Sequence, residues 1–198
     1  MSLSFDENGH IYRYGGKEIP SVSRILVGEG FINTGWFTDE GRLRGSAVHM
    51  HIQHHCMKAG CMAVPKAFHG YMDAWKSFEE QCDWKMLYAE MPLSTYEEPM
   101  FAGTPDQIGM MNNVPAVIDI KTGKISKSTG LQLAAYEMLI NTNSMKKVLA
   151  DEFWVRLKRF TVQLNKDGKY KLTEFKDHND RYIFNSALAI HYWKRNNL

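Results

Sequence analysis

Gly103-Thr104-Pro105-Asp106-Gln107-Ile108-Gly109-Met110-Met111-Asn112-Asn113-Val114-Pro115-Ala116-Val117-Ile118-Asp119-Ile120-Lys121 decides how this chain is read. Asn112-Asn113 interrupts two apolar runs, and asparagine tolerates the left-handed backbone that a tight hairpin turn needs. With those two residues at the turn, Met111 faces Val114 and the ladder carries Asp106 to a position opposite Asp119. Directly opposed residues on one face have Cβ atoms about 5 Å apart. Lys121 lies two residues beyond Asp119 and so shares its face, while Ile118 and Ile120 point to the other. Pro105 and Pro115 disturb the ladder, because neither donates a hydrogen bond.

Two facing carboxylates repel each other, and a divalent cation between them removes the conflict. Hard oxygen donors with room for water suit Mg²⁺ or Mn²⁺. The Ile120 carbonyl can add an oxygen ligand, and Lys121 can hold a water or a phosphate as a compact point charge. The competing reading is a solvated hairpin with a weak Lys–Asp pair.

Elements follow on both sides. Upstream, Phe5 to Tyr14 reads as a short hairpin ending at Gly15-Gly16, and Pro20-Ser21 opens a short helix with Ser21 as cap. Helices are expected from Asp39 to Lys58, ended by Gly60, and from Pro65 to Cys82, with Phe68, Tyr71, Met72, Trp75 and Phe78 at helical spacing. Strands are expected over Trp84 to Leu93, Pro99 to Met110 and Val114 to Lys121. A helix over Ser128 to Asn141 comes next. Phe153 to Leu164 and Lys169 to Phe175 make a second hairpin, turned at Asn165-Lys166-Asp167-Gly168, and a helix over Asn179 to Arg195 closes the chain. This order predicts one α/β (α+β) domain over residues 1–198, with a mixed central β-sheet flanked by helices and a small N-terminal hairpin at about 5–16.

Further residues bear on the carboxylates. Gln132 and Tyr136 are spaced i,i+4 on the helix after Lys121, so both can project toward the strand ends; the alternative is an ordinary pair on an exposed helix. Gly45 sits inside a helical stretch, where it suggests close approach of another element. His49 follows it, either as a ligand through one ring nitrogen or as a packed histidine. Glu90, near the end of a strand, is a candidate base or ligand of a second cation, or an ordinary strand-end carboxylate. Arg42, Arg44, Lys124 and Lys127 can contact phosphates, or be solvated surface charges. His51 and His55 have zinc spacing, but no third ligand follows at a recognisable distance.

The net charge of +2 means that any basic footprint must be local rather than global. Three cysteines, Cys56, Cys61 and Cys82, form neither an even disulfide set nor a CxxC pair, which points to reduced thiols and a cytoplasmic location. No apolar run approaches the roughly 20 residues that span a bilayer, and no secretory signal pattern opens the chain.

Gly45…His49, Glu90, Gly103-Thr104-Pro105-Asp106, Asp119-Ile120-Lys121-Thr122-Gly123 and Gln132…Tyr136 occur in that order, after Pro20-Ser21-Val22-Ser23-Arg24-Ile25-Leu26. Together they resemble the PD-(D/E)XK nuclease superfamily, in its RecB-like branch of phage-type exonucleases. The resemblance runs from about residue 10 to 140. It implies a restriction-endonuclease-like core and Mg²⁺- or Mn²⁺-dependent cleavage of DNA in recombination, repair or phage DNA processing. It also implies His49, Asp106, Asp119 and the Ile120 carbonyl as metal ligands, Lys121 as catalytic lysine, and Gln132 and Tyr136 on DNA, with Glu90 a looser transfer. Asp119 stands where many members carry glutamate. The iron–sulfur members need four cysteines; with three, this chain is expected to hold no such cluster by itself. An endonuclease of the same fold and a non-catalytic nucleic-acid-binding module are the alternatives. Association with a recombinase or single-strand-binding protein is compatible with the resemblance, and the oligomeric state is open.

Overall fold

The computed structural model describes residues 2–7, 9–57, 62–142 and 157–198. At its centre is a five-stranded sheet. Its strands are β4 (Trp84–Ala89), β7 (Gln107–Met111), β8 (Val114–Lys121), β9 (Lys158–Leu164) and β10 (Tyr170–Glu174), in the order β10-β9-β8-β7-β4. The sheet is mixed: β8 and β9 run parallel and every other neighbouring pair is antiparallel. The expected class, a mixed sheet flanked by helices, is the one found.

The β7–β8 hairpin has the expected register, from Met111 opposite Val114 to Gln107 opposite Ile118. Asn112 (φ 49°) and Asn113 (φ 61°) are both left-handed, which matches the twist of the flanking strands. The parity of β8 then sorts its side chains. Ala116, Ile118 and Ile120 join one apolar cluster with Trp75 and Phe78, while Val117 joins another with Leu139 and Phe184. Asp119 and Lys121 share the parity of Val117.

Helix α2 (Asp39–Cys56) and helix α3 (His69–Gln81) supply the first cluster. Helix α1 (Val22–Gly28), helix α4 (Ser128–Ile140) and the C-terminal helix α5 (Asn179–Asn197) supply the second. Helix α4 is crowded between the sheet and α5: ten of its thirteen residues are buried. The chain begins with a small three-stranded sheet, β1 (Leu3–Asp6), β2 (Ile11–Tyr14) and β3 (Lys17–Ile19). The expected hairpin thus gains a strand, because Gly15 and Gly16 adopt positive φ and turn the chain back. Ser21 caps α1, its hydroxyl accepting the Arg24 N–H at 3.1 Å.

Two expected strands are cut short. The first ends at Ala89, where Glu90 takes a left-handed φ of 47°. The second divides into β6 (Ala102–Gly103), which pairs with β5 (Leu93–Ser94), and β7, with Thr104, Pro105 and Asp106 between them. Pro105 has no N–H to give a ladder, and the Asp106 side chain takes over a backbone partner there, as described below. The helix expected from Pro65 begins at His69, after a 3-10 turn over Lys66–Phe68. Lys58 and Gly60, the expected end of α2, and residues 153–156, the expected start of a strand, lie outside the described residues.

The hydroxyl of Thr38 accepts the Gly41 N–H at 3.1 Å and caps α2. Thr38→Ala should lower stability by about 1 kcal/mol, measured by urea unfolding. An unchanged midpoint would show that the first turn of α2 does not depend on this cap. Among the described residues, no helix is long and apolar enough to cross a membrane.

Candidate metal centre

The carboxyl end of β8 meets α2 from one side and α4 from the other. His49, on α2, places its Nε2 2.8 Å from the Ile120 carbonyl. Its Nδ1 lies 3.8 Å from Asp106 Oδ2 and 3.9 Å from Glu90 Oε1. One atom from each of His49, Glu90 and Asp106 falls within 4.8 Å of the others, the one such group among the described residues. The left-handed turn at Glu90 is what brings it here: its N–H donates to the Asp106 carbonyl at 3.1 Å. Asp106 is tied twice, since its Oδ2 also accepts the Ile120 N–H at 2.6 Å.

Asp119 is placed differently from the expectation of a carboxylate facing Asp106 across a cation. The ladder stops at Gln107 opposite Ile118, and the acid grouped with Asp106 is Glu90. Asp119 lies beneath, its side chain 1% exposed, with Oδ1 accepting from Lys121 Nζ at 2.7 Å. Its Oδ2 is buried without a hydrogen-bond partner. Such an atom ordinarily costs stability unless something fills its vacancy.

The electrostatics reflect crowding of acids. Burial opposes charge on His49, but Asp106, Glu90 and the Ile120 carbonyl outweigh it and raise the imidazole to about 9. Burial pushes the Asp119 carboxyl up against the pull of the Lys121 ammonium. For Lys121, burial works against the charge, yet Asp119 and Asp106 prevail and its pKa rises. These carboxylates favour the protonated form of the lysine in the metal-free protein.

The donor set fits a hard divalent cation. It offers carboxylate oxygens, a backbone carbonyl and one imidazole nitrogen, with an orphaned acid oxygen nearby. His49 Nε2 donates to the Ile120 carbonyl, so ligation through Nε2 requires the ring to release that proton, whereas Nδ1 is the nitrogen that faces Asp106 and Glu90.

Tyr136 and Gln132 meet as a pair, the Gln132 amide donating to the Tyr136 hydroxyl at 3.0 Å. They do not form an exposed helical face: Tyr136 is 6% exposed and Gln132 half-buried. Burial, with Asp106 adding, lifts the Tyr136 phenol well above its usual range. Its ring is why residue 103 is glycine, since a Cβ there would stand 2.8 Å from Tyr136 Cε1 and 3.0 Å from Val22 Cγ2. Gly45 is not such a place. A Cβ would meet Thr122 Oγ1 at 3.9 Å, an ordinary contact, so the expected close approach is absent.

Of the basic residues, Arg42 pairs with Asp39 at 2.7 Å, and Lys124 and Lys127 are exposed. Arg44 is half-buried with its Nε lacking a partner. His51 and His55 do not converge: His51 packs against Phe68, and His55 Nε2 lies 2.9 Å from Glu79. Sequence reading missed Tyr12, whose hydroxyl lies 2.7 Å from Thr104 Oγ1. A tyrosine in an alternating strand gives no sign of such a partner.

No protein-family model and no curated sequence matches the chain. Among solved structures, the protein SSO0001 is similar at 15% identity and a TM-score of 0.36, over 87% of this chain and 85% of that one. An alkaline exonuclease from Laribacter hongkongensis is similar at 14% identity and a TM-score of 0.38, over 90% of this chain and 92% of that one. At these values the likenesses carry no argument about activity.

Proposed function

We propose that this chain is a metal-dependent deoxyribonuclease of the PD-(D/E)XK type, acting as an exonuclease. The observation that carries the reading is the convergence of His49, Glu90 and Asp106 at the end of β8, beside the ion pair of buried Asp119 with half-buried Lys121. The ordered motifs from Gly45 to Tyr136 support it.

In this reading His49, Asp106, Asp119 and the Ile120 carbonyl hold Mg²⁺ or Mn²⁺, and Glu90 joins them as a ligand or as the holder of a second cation. A bound cation of this kind lowers the pKa of a water and neutralises charge on a phosphate. Lys121, kept protonated, donates hydrogen bonds to the attacking water or to a non-bridging phosphate oxygen. Gln132 orients the Tyr136 hydroxyl behind the site and faces the DNA backbone. Lys124, Lys127 and Arg44 contact flanking phosphates, a sequence-independent role.

The test is incubation of end-labelled linear duplex and of circular duplex with Mn²⁺. Loss of the linear form alone is expected, with Asp106→Asn slower by at least about 10²-fold and unchanged in far-ultraviolet circular dichroism. Nicked circles would replace exonuclease by endonuclease. DNA binding with no cleavage under any divalent ion would favour a non-catalytic module.

A further inference from the structure

Tyr12 is 1% exposed, in a small apolar cluster with Ile19 and Ala102, and its ring stacks on Phe5. Phenylalanine would satisfy that environment without a buried hydroxyl to accommodate. The hydroxyl instead reaches out of the N-terminal sheet to Thr104 Oγ1, 92 residues away in sequence, at 2.7 Å.

Thr104 is two residues from Asp106, and the link between them is stiff. Pro105 has its φ locked by its ring and restricts the residue before it to extended conformations. A change at Thr104 therefore passes to Asp106 with few torsions to absorb it. The same segment is held elsewhere too. Ala102 N–H donates to the Pro20 carbonyl at 3.0 Å, Ser21 bridges to Ala102, and Tyr136 stands against Gly103. The N-terminal sheet and α4 thus grip the strand that leads into the metal centre from two directions.

The geometry points to Tyr12 as a positioning residue: its hydrogen bond to Thr104 sets the aim of the Asp106 carboxylate at the His49–Glu90–Asp106 centre and at the Ile120 N–H. This rests on the proposed metal centre for its functional meaning, though not for its structural one. It assigns the N-terminal sheet a task in the site, beyond covering the apolar end of the fold.

Tyr12→Phe and Thr104→Val each remove one hydroxyl and keep the shape. Two readouts separate positioning from stability. Mn²⁺ titration calorimetry on each variant should show a dissociation constant raised about three- to tenfold, the size of one net hydrogen bond. Hydrogen exchange at the Ile120 amide, which reports the Asp106 contact with no metal present, should quicken by a similar factor while amides of α4 stay unchanged. Thr104→Ser should restore both, and the double variant should be no worse than Thr104→Val alone. Wild-type Mn²⁺ affinity together with wild-type Ile120 exchange in Tyr12→Phe would overturn the inference, as would multiplied effects in the double variant. If the unsubstituted protein binds no Mn²⁺, the metal-centre reading falls, and the Ile120 amide alone decides whether Tyr12 aims Asp106.

Discussion

On the proposed nuclease reading, Lys121→Met is expected to reduce DNA hydrolysis by roughly 10²- to 10³-fold, the usual size for loss of one donor at a reacting phosphate or water. It should also destabilise the metal-free protein by about 3 kcal/mol near neutral pH, because removing one partner leaves the other charge buried alone. The stability loss has a definite pH dependence. Asp119 has a folded pKa raised by burial, so the folded state prefers its protonated form. A group raised in this way loses stability as pH rises from the ordinary carboxylate range toward its folded value. Without the Lys121 ammonium that value moves further up, so the loss extends toward neutrality and shrinks in acid. Urea unfolding at about pH 4.5, near the foot of that range, and at about pH 7.5, above it, measures it. Equal losses at both would show that Asp119 does not depend on Lys121 for its charge. Methionine keeps the length and apolar stem of the side chain, so packing changes little.

Arg159→Met should have its largest effect on stability. Arg159 leaves β9 into the layer of α4 and α5 with its side chain 7% exposed. There it contacts Glu137 Oε2 at 3.4 Å and Asp180 Oδ2 at 3.2 Å, and donates to the carbonyls of Asp177 at 2.8 Å and Gly130 at 3.4 Å. One cation thus joins the start of α4, the entry to α5 and the strand beside β8. Burial pushes the Asp180 carboxyl up, and Arg159 pulls it back. Removing the cation strands two carboxylates and two carbonyls, for a loss of about 3 kcal/mol. Chemical denaturation measures it. A loss below about 1 kcal/mol, the range of an exposed pair, would show that water reaches the network. Mn²⁺ affinity at the proposed centre should change far less than in Asp106→Asn, because none of these contacts touches His49, Glu90 or Asp106.

The legible parts of the fold were those written in short range. Asn112-Asn113 fixes the β7–β8 register because the turn needs left-handed residues and few side chains supply them. Ser21 announces its helix by the same local logic. Long-range partners left no such mark. Glu90 joins His49 and Asp106 only through a backbone reversal at its own position, which its identity does not encode. The i,i+4 spacing of Gln132 and Tyr136 showed that they meet. It did not show that α4 is buried nearly all round, since that depends on where α5 lands. The interruption at Thr104–Asp106 was half visible in Pro105; that an aspartate side chain would take a backbone N–H there was not. Arg159 looked like any strand arginine, because its four partners lie on distant elements.

The Asn112–Asn113 turn stands at the opposite end of β7 and β8 from the metal centre, yet it acts as a parity counter for that centre. A one-residue slip of β8 against β7, with the two-residue turn re-formed one position along, would exchange the faces of β8. Asp119 and Lys121 would then be driven into the layer of Trp75 and Phe78, and Ile118 and Ile120 into the place of the acid and the lysine. A slip of two residues would slide the strand and keep the faces. Register is therefore quantised: only even steps leave the acid and the lysine on the face where they lie.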